Sequence, residues 1–97
     1  MTLDEFLQTT KDDVPPTGLS LPLQALWWDG KGDWEKAHSC AQDAPDSNGS
    51  WVHAYLHRVE GDLGNAVYWY RRAGRPAYSG ALQQEWREIV GELLAQG

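Results

Sequence analysis

The stretches ALWWDGKGDWEKA, residues 25–37, and AYLHRVEGDLGNA, residues 54–66, carry one pattern twice. The Gly32-Asp33 pair returns as Gly61-Asp62, an offset of 29 because 61 − 32 = 29. Under that shift Ala25 matches Ala54, Ala37 matches Ala66, and an apolar residue follows each Gly-Asp (Trp34, Leu63). The chemistry is coherent. Gly permits the tight exit from one helix, and Asp accepts the free amides at the start of the next. Small residues on the two facing helices let their backbones approach. The unit is a helical hairpin, and it occurs twice.

The rest of the chain fits around that unit. Thr2 and Glu5 form a capping-box pattern for a short helix over 2–9. KDDVPPTG breaks it, so residues 1–18 read as a short helix plus a Pro-containing arm, and 19–97 as the helical domain. A second helix starts near Ser20, with Pro22 tolerable in its first turn. A third runs from Trp34 to about Ala44. APDSNGS reads as a loop, and a fourth helix covers about Gly49 to Glu60. The fifth, LGNAVYWYRRA, ends at Gly74, and Pro76 stops continuation. The last is expected from Ser79 through Ala95, with Leu82, Trp86, Ile89, Val90 and Leu93 facing inward. Leu63, Ala66, Val67 and Tyr70 are the expected inward face of the fifth. The expected fold is all-α: antiparallel helical hairpins, about six helices, and a C-terminal capping helix.

These residues carry a resemblance. Ala54, Gly61-Asp62, Ala66-x-x-x-Tyr70, Ala73 and Pro76 resemble a tetratricopeptide (TPR or Sel1-like) repeat over about residues 21–76. The first unit departs from the pattern, with Ala41 where an aromatic is usual. Both units are shorter than about 34 residues, and two are fewer than a solenoid normally uses. WVHAYLHRVEGDLGNAVYWYRRAGRP is also similar to small bacterial proteins of this length, a likeness that implies no particular activity. The TPR resemblance implies a groove that takes a peptide end.

Composition excludes several classes. The net charge of −6, from 14 acids and 8 bases, opposes general binding to nucleic acid or an anionic membrane. LSLPLQALWW is the most apolar run and falls far short of a membrane span. Cys40 is the only cysteine, and MTLDEFLQTT lacks the basic and apolar regions of a secretory signal, so a soluble, cytoplasmic protein is expected. There is no G-x-S-x-G, P-loop or G-x-G-x-x-G motif, and Cys40 with His38 two positions away on a helix makes no dyad.

Three groups of side chains are candidates for function. His53 and His57 in WVHAYLHR stand four apart, as a helical metal pair does. Glu60, or His38 from another helix, is the third-ligand choice. Ala54 occupies the place of the catalytic Glu in the zinc-protease pattern. In the repeat, His57 falls opposite Trp28, a packing position, and packed imidazoles bonded to a Tyr, Asp or backbone group are the favoured reading. The second group is Arg71, Arg72 and Arg75 with Trp69 and Tyr68, and nearby Arg58, fit to grip a carboxylate, a phosphate or a peptide end. Its bland counterpart is cations at a helix C-terminus, paired with Glu60, Asp62 or Glu85. The third is Trp27, Trp28, Trp34 and Trp51. Trp27 and Trp28 point about 100° apart, so one is expected at a partner surface unless Leu3, Phe6 and Leu7 cover it.

The sequence therefore favours a non-enzymatic module that binds a protein or peptide near Arg58, Trp69, Arg71, Arg72, Arg75, Trp27 and Trp51, with no cofactor. Self-association through exposed aromatics is a further expectation. The alternatives are a metal-binding protein, with hydrolysis as its candidate activity, using His53, His57 and Glu60, or a small-anion binder using Arg71, Arg72 and Arg75.

Overall fold

Five side-chain caps set where the helices begin. In the computed structural model, which describes residues 1–96, Thr2, Ser20, Asp33, Asp46 and Asp62 each accept a backbone amide three residues on. The helices that follow are α1 (Leu3–Thr9), α2 (Leu21–Gly30), α3 (Trp34–Asp43), α4 (Ser47–Val59) and α5 (Leu63–Ala73), with α6 (Leu82–Gln96) after them. The described residues contain six helices and no strand. The protein is all-α.

The two Gly-Asp turns have the same geometry. Gly32 and Gly61 both hold φ at 86°, in the left-handed region. After each, the Asp amide reaches back five residues: Asp33 to the Trp28 carbonyl at 2.9 Å, Asp62 to the His57 carbonyl at 2.8 Å. These bonds take up carbonyls left open at the ends of α2 and α4. The alanines of the pattern are buried as close packing needs, with Ala25, Ala37 and Ala54 at 0% exposure and Ala66 at 2%. Thus α2 and α3 form one hairpin and α4 and α5 the other.

Two boundaries differ from expectation. Asp46 captures the Gly49 amide at 2.9 Å, so α4 starts at Ser47 and the expected loop is shorter. A Cβ on Gly49 would lie 2.5 Å from the Ala44 carbonyl oxygen, so only glycine allows this tight passage from α3 to α4. At the other end, α6 starts at Leu82 rather than Ser79. The preceding segment is held in irregular form by Arg58, which donates to the Gly80 carbonyl at 2.7 Å, and by Tyr78, which donates to Glu88 at 2.6 Å.

Helix α4 is the centre of the molecule, touching α2, α3, α5 and α6. Trp27, Leu26, Val52, Leu56, Tyr70 and Ile89 are buried around it. The N-terminal helix joins the same core. Phe6 has 0% exposure and lies 5.8 Å from the Trp86 ring, while Thr9 accepts from the Trp27 indole at 3.1 Å. Trp27 is therefore fully buried, and its partly exposed neighbour is Trp28. The expectation of a partner-facing Trp27 is corrected by this cover from α1. Helix α5 buries Ala66 and Tyr70 but leaves Leu63 and Val67 exposed, because it rests chiefly on α4 alone. The body measures 33 × 25 × 25 Å, a rounded shape and not an elongated superhelix. No helix is long and apolar enough to cross a membrane.

Candidate metal centre

Helical spacing puts His53 and His57 on one side of α4, one turn apart. That side faces α3, and α3 brings His38. All three histidines of the chain converge: one ring nitrogen from each lies within 4.8 Å of the other two. His53 Nε2 and His38 Nε2 are 2.8 Å apart and share one proton in a hydrogen bond. The spacing from His38 to the pair, across a loop and onto another helix, is not one that sequence periodicity measures.

Aromatic rings hold the group in place. His53 is stacked between Trp69, at 3.9 Å and 13°, and His57, at 4.9 Å and 16°. His38 stacks on Trp34 at 4.7 Å and stands edge-on to His53 at 86°. Trp34 is itself fixed, since its indole donates to the Leu56 carbonyl at 2.9 Å. His53 and His57 are 5% and 8% exposed, and His38 is the more open member.

Glu60 has a supporting place. Its carboxylate accepts from His57 Nδ1 at 2.6 Å. Because a carboxylate accepts, the Nδ1 position carries the proton of this bond, and Nε2 is the nitrogen on the side of the other two rings. A carboxylate behind an imidazole in this way orients it and raises its basicity toward a metal. Glu60 also stands within 4.8 Å of His57 and Asp62, but Asp62 is committed to capping α5. So His38, rather than Glu60, completes the group of imidazoles.

The electrostatics favour the neutral form of His38 and His53. Burial, with His38 and His57 as like-charged neighbours, lowers the pKa of His53 to about 4. Burial also lowers His38, with His57 adding to the effect and Glu60 opposing it. Neutral imidazole is the form that binds a divalent ion. At zinc–nitrogen lengths of about 2.0–2.1 Å, tetrahedral ligands stand about 3.3 Å apart. The His38–His53 pair would open by about 0.5 Å, and the stacked His53 and His57 rings would tilt toward a common point.

The remaining candidates lie elsewhere and are largely committed. Arg58 donates to the buried Glu85, which also accepts from the Tyr70 hydroxyl. Arg75 pairs with Glu92 and lies 3.5 Å above the Trp51 ring, beside Glu85 and Glu88. Arg72 sits over Trp69 and Tyr68 at 5.3 and 5.9 Å. Arg71 is exposed and has no ion pair among the described residues. Arg58, Arg72 and Arg75 thus point to separate partners rather than to one anion. Cys40 is half-buried, its thiol pushed up by burial, and stands outside the histidine group.

Comparison with models of protein families, with curated proteins and with solved structures finds no match for this chain.

Proposed function

We propose that this protein is a non-enzymatic, TPR-like helical module whose two hairpins are tied together by a divalent metal, zinc by preference, on His38, His53 and His57. The convergence of the three imidazoles carries the reading. Three imidazole nitrogens on a borderline-soft ion suit zinc, and water takes the fourth position. The low exposure of His53 and His57, behind Trp34 and Trp69, favours a clamp over a catalytic centre, because a substrate has little room to reach the ion. The TPR-like description is supported by the paired Gly-Asp turns and their buried alanines. A location in the cytoplasm agrees with the single cysteine.

A partner surface belongs to the same reading. Leu63 and Val67, 63% and 40% exposed and four residues apart, share one face of α5, and Tyr68, 52% exposed, borders it. This face suits a protein partner better than Arg58 and Arg75 do, since both are taken up by acids of the chain.

Cobalt substitution tests the site. Protein purified without a histidine tag, stripped by chelator and given one equivalent of Co²⁺, is expected to show the visible bands of a tetrahedral nitrogen-rich centre. His38→Ala and His53→Ala should each abolish them. A spectrum of hexa-aqua cobalt for the unaltered protein would refute the metal reading.

A further inference from the structure

On the side of α4 away from the histidines, α1, α2 and α6 leave a second feature unexplained. Tyr55 and Val59 are each two residues beyond a histidine of the pair, about 200° round the helix. There a cleft of about 400 Å³ is walled by Leu7, Val59, Leu82 and Trp86, with Asp29 and Tyr55 beside them. That volume is within the range of small-molecule sites, about 300–1,000 Å³. Val59 and Leu82, 36% and 37% exposed, are its most open apolar walls. The Trp86 indole N–H is already given to the Leu26 carbonyl at 3.0 Å, so the ring offers the cleft only hydrocarbon surface.

Asp29 is the one charged group in this lining. Tyr55 donates its hydroxyl to Asp29 Oδ2 at 2.9 Å, a bond that steadies the carboxylate without neutralising it. Oδ1 has no protein partner among the described residues and is not sealed from solvent. Among the described residues no lysine or arginine pairs with Asp29. Arg58, one turn from Tyr55, is turned to Glu85 instead. Burial raises the Asp29 pKa, and the Tyr55 bond offsets only part of that rise. The carboxylate is thus held in poor solvent, where an added cation gains most.

From this arrangement we infer that the cleft binds a small organic ammonium, its charged head on Asp29 Oδ1 and its apolar body against Leu7, Val59, Leu82 and Trp86. The acid fixes sign and position, and the apolar walls supply contact area. A neutral ligand of the same shape would leave the carboxylate desolvated and unpaired. A carboxylate ligand would be repelled.

The test is an amide-resonance titration with 3-phenylpropylammonium, against 3-phenylpropanol as its neutral counterpart. Chelator is present throughout, so the result is independent of any metal on the histidines. The ammonium is expected to shift Asp29, Gly30, Val59 and Leu82 in a saturable way at millimolar concentration, and the alcohol to bind at least tenfold more weakly. Asp29→Asn, which keeps an acceptor for Tyr55, should remove that preference. Leu82→Trp, which fills the cleft from its exposed wall, should block binding even if the Asp29 variant folds poorly. Absence of saturable shifts with the ammonium, equal binding of the alcohol, or unchanged binding to Leu82→Trp would overturn the inference.

Discussion

His38 and His53 place their Nε2 atoms 2.8 Å apart across the join between the two hairpins. Neither ring accepts a proton readily there, and His53 is held down to about 4. Stability must then depend on pH in a definite direction. An unfolded histidine takes a proton near pH 6.5, while folded His53 resists until about pH 4. Within that window the unfolded chain binds more protons, so stability falls as pH falls and is fully present above it. The contribution of His53 is on the order of 3 kcal/mol across the window, with His38 adding in the same sense. Urea unfolding midpoints from neutral pH to the lower edge of the window should decline steadily. His53→Gln should flatten the decline, and an unchanged slope in that variant would count against the assignment.

The turns offer a test of the internal repeat. A Cβ at Gly32 or Gly61 meets nothing within 4 Å, so replacement by alanine costs only backbone strain at φ 86°. That cost is about 1–2 kcal/mol at each position. Thermal unfolding of Gly32→Ala and Gly61→Ala should show closely similar losses, and asparagine at either site should be milder. A large difference between the two would mean that the turns do not bear the same role.

Glu85 is 1% exposed and joins α6 to both helices of the second hairpin, accepting from Arg58 and Tyr70. Tyr70 loses acidity in return, through burial first and then its bond to Glu85. Glu85→Ala would leave the half-buried Arg58 guanidinium with the Gly80 carbonyl alone and the Tyr70 hydroxyl without its acceptor, at a cost of about 2–3 kcal/mol. Tyr70→Phe, which removes only one hydrogen bond, should cost about 0.5–1.5 kcal/mol. Chemical denaturation of the two variants checks the order, and an equal loss for both would be inconsistent with it.

Helix order was readable because the signals are local. Asp33, Asp62, Gly32 and Gly61 act within a few residues, and the cap and the turn follow from their own chemistry. Burial that depends on distant segments was not readable in the same way. Trp27 is covered by α1 through Thr9, 18 positions away in the chain. Val67 fits the inward stripe of α5, yet α5 has too few neighbours to bury it. The His53–His57 pair was visible as a four-residue step, whereas the approach of His38 depends on how α3 packs on α4. Asp29 gave no signal at all, for an acid at a helix end looks the same whether it lies in solvent or in an apolar cleft.

Zinc binding is the most direct test of the central claim. Tag-free protein, stripped by chelator and titrated calorimetrically, should take up one zinc per chain. At a free zinc concentration about 100 times the dissociation constant the gain is about 2.7 kcal/mol, enough to raise the unfolding temperature by on the order of ten degrees. Both effects should vanish in His38→Ala and in His53→Ala. No stoichiometric uptake, or uptake that persists in the His38→Ala, His53→Ala double variant, would contradict the account.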